Sequence, residues 1–382
     1  MAQTEKSLKD RMISYVLTPS SWLYGGVVYL RNKLYDWGVF SSASFDIPVV
    51  SVGNLTVGGT GKTPHVEYIV EYLASVYNIA VVSRGYKRRT KGFVLASSHS
   101  TPDSIGDEPY QIYRKYGNRI KVAVCENRAK GIRALLEIDP NINLVILDDG
   151  FQHRKIQPKV HLLLVDYNRP VYEDKLLPLG RLREPRRSME RADIVVVTKV
   201  PADTKPIDMR VIKKKLDLWA FQKLFFSTVR YGELTPVFDR EARYTVYLDQ
   251  LTHNDAALLL TGIANPRPFV RHFKGYQVRV KVKHFADHHD FTREDLEAIA
   301  EAYENLKGAR KLIITTEKDA VRLANNPYFP ENLKPYIFYL PISVDTLEGL
   351  GDSDLIGALR QAINATPQPQ LPSQPESDAE EE

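Results

Sequence analysis

A glycine-rich turn that ends in Lys62 and Thr63 carries the clearest chemical signal in this chain. The turn holds three glycines between positions 58 and 61, and it lies between an apolar, β-branched run and a helical apolar pattern. Glycines let successive backbone N–H groups converge on phosphate oxygens, and a helix start adds partial positive charge. In such a loop the lysine reaches the β- and γ-phosphates, and the threonine hydroxyl ligates Mg²⁺. The predicted phosphate-binding residues are Thr56, Gly58, Gly59, Thr60, Gly61, Lys62 and Thr63.

The turn departs from the usual G-x-x-x-x-G-K-T pattern at one position. Thr56 stands five residues before Gly61, where the pattern has glycine. An ordinary glycine turn with a solvated Lys62 is therefore the alternative interpretation. Because a strand-like run precedes the turn and an amphipathic pattern follows it, we favour nucleotide phosphate binding.

Two carboxylates follow a second apolar run. Residues 143–147 lead directly into Asp148, Asp149 and Gly150. A strand that ends in aspartate can present Mg²⁺ beside a phosphate loop, since ligands collect at the carboxyl ends of parallel strands. Asp-Asp-Gly alone would indicate only a turn. Together with the glycine-rich loop, it predicts a metal site of Thr63, Asp148 and Asp149.

Asp107 and Glu108 are adjacent acids just before a helical pattern that extends to Tyr116. Acids at this position most often cap the helix or interact with its dipole. In a phosphoryl-transfer protein they are also candidates for a base or a metal ligand. The spacing alone favours the cap.

The segment Asp287-His288-His289-Asp290 follows a predicted strand. Its composition raises the alternative of a zinc site. Adjacent residues on a strand point to opposite faces, however, so few of the four could share one ion. One histidine acting as a catalytic partner, polarised by a carboxylate, is the interpretation we favour.

Arginines are concentrated in residues 179–187, which read LGRLREPRR. Guanidinium groups there could neutralise a transferring phosphate or hold an anionic substrate. A second basic tract, residues 87–91, is either a solvated loop or a clamp for acidic substrate groups.

Alternating apolar strands and helical patterns predict an α/β fold with a doubly wound, mostly parallel sheet and a second, smaller α/β domain. The motifs all fall at predicted carboxyl ends of strands, where such sheets bind ligands. The two strands Phe225–Arg230 and Tyr244–Leu248 are predicted to connect the domains. The predicted divisions are an N-terminal arm (1–40), a P-loop domain (41–224), a two-stranded linker (225–250), a smaller domain (251–365) and a disordered acidic, proline-rich tail (366–382).

The N-terminal arm combines apolar, aromatic and basic residues. Leu23, Val27, Leu30, Leu34 and Trp37 share one stripe at helical spacing. The apolar segment Trp22–Leu30 is too short to span a bilayer. The arm is therefore either an amphipathic helix in the membrane interface or a helix packed on the protein's own core. The basic residues beside the stripe are Lys6, Lys9, Arg11, Arg31 and Lys33.

The composition is that of a soluble globular protein. The 382 residues are 43% hydrophobic and 26% charged, and the net charge of +5 does not by itself imply nucleic acid binding. Cys125 is the only cysteine, so no internal disulfide is possible and a reducing compartment is expected. The polar start MAQTEKSLKDR does not resemble a secretory signal.

The ordered set of motifs resembles the tetraacyldisaccharide 4′-kinase family of Gram-negative bacteria. The matching stretches are SVGNLTVGGTGKTP, SRGY, GDEP, LDDGFQH, GRLREP, VVTK, GIANP, FADHH and TTEKDA. The resemblance covers about Leu17 to Asp345, and the glycine loop of this family has the Thr56 form. It implies transfer of the ATP γ-phosphate to the 4′-hydroxyl of a tetraacylated glucosamine disaccharide 1-phosphate, which gives lipid IVA.

The resemblance also implies roles for particular residues. It assigns Asp107 and His288 as a catalytic carboxylate–histidine pair, in preference to the cap at Asp107 and to His289. Catalysis would involve Lys62 and Asp149 as well, with ATP and Mg²⁺ as cofactors. The arm would associate with the inner leaflet of the cytoplasmic membrane, and no obligate protein partner is implied. The residues expected to contact the substrate are Arg84, Arg128, Gln152, Arg183 and Glu184.

Two other classes of protein remain as alternatives from the residues alone. A P-loop regulatory or metal-insertion GTPase would usually present Asn-Lys-x-Asp after a late strand, whereas this chain has Thr198-Lys199-Val-Pro. A peripheral membrane scaffold that binds nucleotide without chemistry would not require the carboxylate–histidine pair.

Overall fold

The computed structural model describes residues 8–242, 245–348 and 354–365, which contain ten α-helices and fourteen strands arranged around two sheets. The strands are β1 (Val49–Asn54), β2 (Ile79–Ser83), β3 (Val94–Leu95), β4 (Lys121–Val124), β5 (Leu144–Asp148), β6 (Val160–Asp166), β7 (Ile194–Thr198), β8 (Lys223–Tyr231), β9 (Thr235–Pro236), β10 (Ala256–Thr261), β11 (Arg279–His284), β12 (Lys311–Thr316), β13 (Ile337–Leu340) and β14 (Ile342–Thr346). The helices are α1 (Leu8–Asp36), α2 (Lys62–Leu73), α3 (Pro102–Ile105), α4 (Asp107–Tyr116), α5 (Arg128–Ile138), α6 (Pro206–Leu216), α7 (Arg267–His272), α8 (Arg293–Glu304), α9 (Glu317–Ala324) and α10 (Leu355–Asn364).

The larger sheet has the strand order β14-β8-β7-β6-β1-β5-β2-β4-β3. Its strands run parallel except at the two edges, where β3 and β14 are antiparallel to their neighbours. Strand β1 lies near the centre, and all six of its residues are buried. Strands that are buried on both sides form when helices cover both faces of a parallel sheet. The predicted α/β fold with a large, mostly parallel sheet is confirmed.

Helices cover the two faces of the larger sheet with separate apolar clusters. On one face, Val50 and Val52 of β1 pack with the apolar side of α2 and with Leu355 and Leu359 of α10. The opposite face packs against α5 in one region and against α6 in another. The carboxyl ends of the strands are thereby left for the loops that carry the sequence motifs.

The smaller sheet has the order β11-β10-β12-β13-β9, with only β9 antiparallel to its neighbour. Helix α8 packs on one face through Leu296 and Ile299, and α7 packs on the other through Phe269. The Thr292 hydroxyl accepts a hydrogen bond from the Asp295 amide, and the Asp295 side chain accepts one from the Thr292 amide. This reciprocal pair begins α8 as its sequence predicts.

The connection between the two units differs from the predicted one. Strand β8 is present and pairs with β7, but Thr245–Leu248 contain no strand, and Tyr244 lies outside the described residues. The antiparallel partner of β8 is β14 instead, with Val229 opposite Val344. The prediction was wrong because the partner strand comes from about 100 residues further along the chain, where local propensity carries no information about pairing.

Helix α1 continues through Pro19 and presents much of its apolar surface to solvent. Leu23, Val27 and Leu30 are 73%, 62% and 55% exposed, whereas Val28 and Asn32 are buried. Of the predicted stripe, Leu34 is half-buried, whereas Leu23, Val27, Leu30 and Trp37 are not packed on the protein's own core. Within the described residues, no helix combines the length and the apolar character that crossing a bilayer requires. The tail predicted for residues 366–382 lies outside the described part of the chain.

Candidate active site

The glycine-rich turn connects β1 to α2 at the carboxyl end of the sheet. Gly58 and Gly61 have φ values of 108° and 88°, in the left-handed region that favours glycine. The side-chain amide of Asn54 donates a hydrogen bond to the Thr60 hydroxyl at 2.7 Å, and both residues are buried. Thr56 forms an antiparallel bridge with Leu182. A residue paired in this way needs no glycine, which accounts for the departure from the usual pattern.

Lys62 begins α2 and lies beside the acidic end of β5. Its Nζ is 3.7 Å from Oδ1 of Asp149, and Thr63 follows in the first helical turn. Asp149 has a φ of 54° and receives two hydrogen bonds from Arg183, at 2.9 and 3.2 Å. Partial burial alone would raise the pKa of Asp149, but the charges of Lys62 and Arg183 outweigh it and lower the pKa to about 2. The carboxylate is therefore ionised at neutral pH.

Asp148 is the most deeply buried member of this group. It is 1% exposed, and its Oδ1 has no hydrogen-bond partner among the described residues. Burial, with repulsion from Glu108 and Asp149, raises the pKa of Asp148 to about 7. A buried acceptor without a donor is costly unless a cation or donor completes it. The site is thus suited to a bound cation.

Three of the predicted substrate residues follow neighbouring strands of the larger sheet: Arg84 follows β2, Arg128 begins α5 after β4, and Gln152 lies in the loop after β5. Arg128 is buried, its Nε has no partner among the described residues, and burial lowers its pKa while Asp149 and Asp148 oppose that shift. Gln152 donates to the Asn54 carbonyl at 2.7 Å, and its own carbonyl oxygen is buried and unpaired within the described chain. Arg84 is exposed at the end of β2. Each has donors or acceptors available for a ligand.

Glu184 does not share this position. Its side chain is 1% exposed, and its two oxygens contact Arg31 at 2.8 Å and Arg191 at 2.6 Å. In this conformation the carboxylate is occupied and faces α1 rather than the cleft. The contact of Glu184 with the substrate therefore stays a prediction, while the neighbouring Arg183 contacts Asp149.

Asp107 and His288 come together from the two units. His288 Nδ1 is 2.9 Å from Asp107 Oδ2, across 181 positions of sequence. Asp107 is the first residue of α4, where Gly106 is the N-cap and makes no side-chain cap. The hydrogen bonds of the Asp107 carboxylate go to His288 and Arg322, so it does not cap the helix by a hydrogen bond, although its charge lies in the first turn. His289 lies elsewhere, with Nε2 2.7 Å from Asp295.

Two cations on α9 hold this pair, and the sequence interpretation did not identify either. Arg322 donates to Asp107 Oδ2 from Nε at 2.9 Å and from Nη2 at 2.5 Å. Lys318 Nζ is 2.8 Å from His288 Nε2. Burial would raise the pKa of Asp107, but His288 and Arg322 together lower it. Lys318 and Arg322 are four residues apart on α9, so both cations lie on one face of that helix. This spacing, directly after the sequence TTE, is the signal that could have identified them.

The first turn of α4 connects the Asp107–His288 pair with the carboxylates at the end of β5. Asp107 contacts His288, while the charge of the adjacent Glu108 acts on Asp148. Among the described residues, no group of three or more histidine, cysteine or acidic side chains could hold a metal ion. The zinc alternative for residues 287–290 therefore has no support, whereas Mg²⁺ beside phosphates commonly uses only one or two carboxylates.

Comparison with known proteins gives one consistent result. The model of the tetraacyldisaccharide-1-P 4′-kinase family, LpxK, matches residues 13–363. A tetraacyldisaccharide 4′-kinase of Bacteroides thetaiotaomicron is 49% identical over 355 residues, which cover 90% of this chain and 93% of the relative. A tetraacyldisaccharide 4′-kinase of Phocaeicola vulgatus is 48% identical over 334 residues, covering 87% and 90%.

A solved structure shares the fold. The crystal structure of the “apo” form of LpxK from Aquifex aeolicus in complex with ATP has a TM-score of 0.70 to this chain and is 27% identical to it. The match covers 92% of this chain and 99% of the Aquifex aeolicus chain. By sequence and by fold, the chain belongs to the tetraacyldisaccharide-1-P 4′-kinase family.

Proposed function

We infer that this protein transfers the γ-phosphate of ATP to the 4′-hydroxyl of tetraacyldisaccharide 1-phosphate, the step of lipid A biosynthesis that gives lipid IVA. The observation that carries this inference is the position of α4, in whose first turn Asp107 pairs with His288 while the charge of the adjacent Glu108 acts on Asp148 at the end of β5. A nucleotide-binding scaffold would not need such a pair. The GTPase alternative is not supported, since β7 ends at Thr198 and the following Lys199-Val200-Pro201 lacks the Asn and Asp of a guanine-binding motif.

The phosphates of ATP lie in the loop at residues 56–63 in this proposal. The backbone N–H groups of the loop and Lys62 hold the β- and γ-phosphates, and Arg183 supplies further positive charge. The unpaired Oδ1 of Asp148, with Asp149 and the Thr63 hydroxyl, fits Mg²⁺. When bound there, Mg²⁺ would neutralise charge on the transferring phosphoryl group.

Asp107 orients the 4′-hydroxyl and accepts its proton. His288 and Arg322 both contact Oδ2, whereas Oδ1 receives no hydrogen bond from the described residues and is available to the hydroxyl. Lys318 donates to His288 Nε2, so the ring proton of a neutral His288 lies on Nδ1 and points at Asp107. Because phosphoryl transfer is largely dissociative, a weak but well-positioned base is sufficient.

Arg84, Arg128 and Gln152 form the part of the site that contacts the disaccharide or its phosphate. They follow the neighbouring strands β2, β4 and β5, and the charge of Arg128 acts on both Asp149 and Asp148. Guanidinium groups suit phosphate and sugar oxygens because they donate several hydrogen bonds in one plane.

The exposed apolar face of α1 binds the inner leaflet of the cytoplasmic membrane, where the acyl chains of the substrate reside. Leu23, Val27 and Leu30 lie on this face and are mostly exposed. An apolar stripe with basic residues nearby is typical of helices that lie in the membrane interface. Replacing Leu23 and Val27 by Ser should therefore reduce flotation with anionic liposomes, and unchanged flotation would contradict this assignment.

The activity is tested with radiolabelled ATP, Mg²⁺ and tetraacyldisaccharide 1-phosphate in detergent, followed by thin-layer chromatography. We expect label to appear in a lipid of lower mobility, and no label when the acceptor already carries a 4′-phosphate. Label released only as inorganic phosphate, or transfer that GTP supports better than ATP, would contradict the proposal.

A further inference from the structure

A short segment connects the N-terminal helix to the phosphate loop. Residues 181–184, called here the strap, run beside the first residues of the loop. The Val57 amide donates to the Arg181 carbonyl at 2.8 Å, and the Arg183 amide donates to the Leu55 carbonyl at 2.7 Å. Thr56 and Leu182 complete this antiparallel contact. The backbone of the loop is therefore braced from one side by the strap.

Helix α1 holds the other side of the strap. The Tyr24 hydroxyl donates to the Arg183 carbonyl at 2.9 Å. Arg31 and Asn32 donate to the two oxygens of Glu184, at 2.8 and 3.3 Å. A carboxylate as buried as that of Glu184 is stable only while its partners remain in place. Release of α1 would therefore disturb the strap as well.

A second contact keeps α1 close to the region just before the strap. The Ser21 hydroxyl donates to the Leu176 carbonyl at 2.9 Å. A Cβ atom at Gly25 would lie 2.9 Å from Leu176 Cδ1, which shows how closely the helix approaches. Ser21, Val28 and Asn32 are buried and Tyr24 and Gly25 half-buried; these five residues, called here the buried face of α1, lie opposite the exposed stripe.

The strap ends in the catalytic site. The guanidinium of Arg183 makes two hydrogen bonds to Asp149, and the next residue, Glu184, is the one that α1 holds. A shift of the strap would therefore move both the Arg183 guanidinium that contacts Asp149 and the backbone beside the phosphate loop.

We propose that α1 is a positioning element of the phosphate site, in which Tyr24 and Asn32 hold the strap so that Arg183 and residues 55–57 keep the geometry that binds nucleotide. The helix then has two separate functions, since its exposed stripe contacts the membrane while its buried face stabilises the ATP site. This inference rests on the proposed nucleotide role of the loop.

The test measures nucleotide affinity in the absence of any lipid. The full chain is titrated by calorimetry with Mg²⁺ and a non-hydrolysable ATP analogue. Tyr24→Phe removes one hydroxyl and should weaken binding about three- to tenfold, the usual effect of one lost hydrogen bond. Tyr29→Phe, an exposed position on the same helix, is the matched control and should bind as wild type does.

A second substitution tests the same role of α1 without relying on the loss of a single hydroxyl group. Asn32→Asp places a carboxylate of nearly the same shape against Glu184, and like charges at that distance should weaken nucleotide binding more than Tyr24→Phe does. In mixed micelles, the KM for ATP should rise in both variants while the KM for the disaccharide stays within about twofold.

The possible results separate this inference from the proposed function. Wild-type nucleotide affinity in both Tyr24→Phe and Asn32→Asp would overturn it, as would a parallel rise of both KM values, which indicates a general loss of structure. Wild-type nucleotide affinity in Lys62→Ala would instead overturn the nucleotide role of the loop itself.

Discussion

The proposed active site consists of two groups of residues that are built in different ways. The phosphate group (Asn54, Lys62, Asp148, Asp149 and Arg183) comes entirely from the larger sheet and its loops. The base group (Asp107, His288, Lys318 and Arg322) takes one residue from the unit of the larger sheet and three from that of the smaller. The first group is therefore assembled within one unit, whereas the second exists only where the two units meet.

The contact between the units is itself charged. Lys115 of α4 lies 2.6 Å from Glu67 of α2 and 2.5 Å from Glu317, the first residue of α9. Glu317 precedes Lys318 on the helix that positions His288. Because the base group depends on this contact and the phosphate group does not, nucleotide binding should be separable from chemistry.

The largest effect is expected from a change in the phosphate group. Lys62→Ala removes the charge that contacts the phosphates, so both nucleotide binding and turnover should fall, with turnover lower by about three decades. Calorimetry and the transfer assay measure the two effects. Lys130→Ala, an exposed lysine of α5, is the control. Turnover by Lys62→Ala within tenfold of wild type would remove the loop from the mechanism.

A change in the base group is expected to have a smaller effect, which lowers the rate of phosphoryl transfer and leaves ATP binding unchanged. Lys318→Met removes the donor to His288 Nε2 and lets the ring take the other tautomer, so kcat should fall about tenfold, the equivalent of one charged hydrogen bond. The KM for ATP should not change, and Lys318→Arg should restore part of the loss. Equal losses in ATP binding and in kcat would show that the two groups are not separable.

The smallest effect concerns the contact between the units. Burial raises the pKa of Glu67 from 4.5 to about 7, with Lys115 opposing and Glu317 adding to the shift. The folded protein thus holds this proton more tightly than the unfolded chain, so the stability contributed below about pH 4.5 is lost as the pH rises towards 7. One proton accounts for a slope of at most about 1.4 kcal/mol per pH unit.

Urea unfolding of Glu67→Gln at pH 5, 6 and 7 tests this assignment. The free energy of unfolding should fall less steeply with pH than in wild type, because glutamine does not titrate. Glu71→Gln, one turn further along α2 and exposed, is the control. The same slope in Glu67→Gln as in wild type would contradict the shift.

The sequence predicts the phosphate group better than the base group for a physical reason. Strand, glycine loop, lysine and helix are contiguous between residues 47 and 76, so local propensities determine them together. The pairing of Asp107 with His288 depends on how two units pack, and spacing alone favoured a helix cap. Only the family resemblance brought these two residues together.

The differences between the predictions and the structure also occur at contacts between elements that are far apart in sequence. Glu184 was expected to contact the substrate, whereas its carboxylate faces α1 in this conformation, so that contact stays a prediction. The strand expected at Tyr244–Leu248 failed because β8 pairs with a strand from the end of the chain. Lys318 and Arg322 were missed because their partners, His288 and Asp107, lie on other elements. The order of residues along the chain does not show that these elements come together.

A double-mutant cycle on Asp107 and His288 tests most directly whether the base group acts as one unit. We expect Asp107→Ala and His288→Ala each to lower kcat by about two to four decades, while ATP still binds. The double variant should be scarcely worse than the poorer single variant, because each residue acts only through the other. His289→Ala, whose partner is Asp295, should retain most activity. Additive losses in the double variant, or a loss of ATP binding in either single variant, would contradict a base group that acts as one unit across the two sheets.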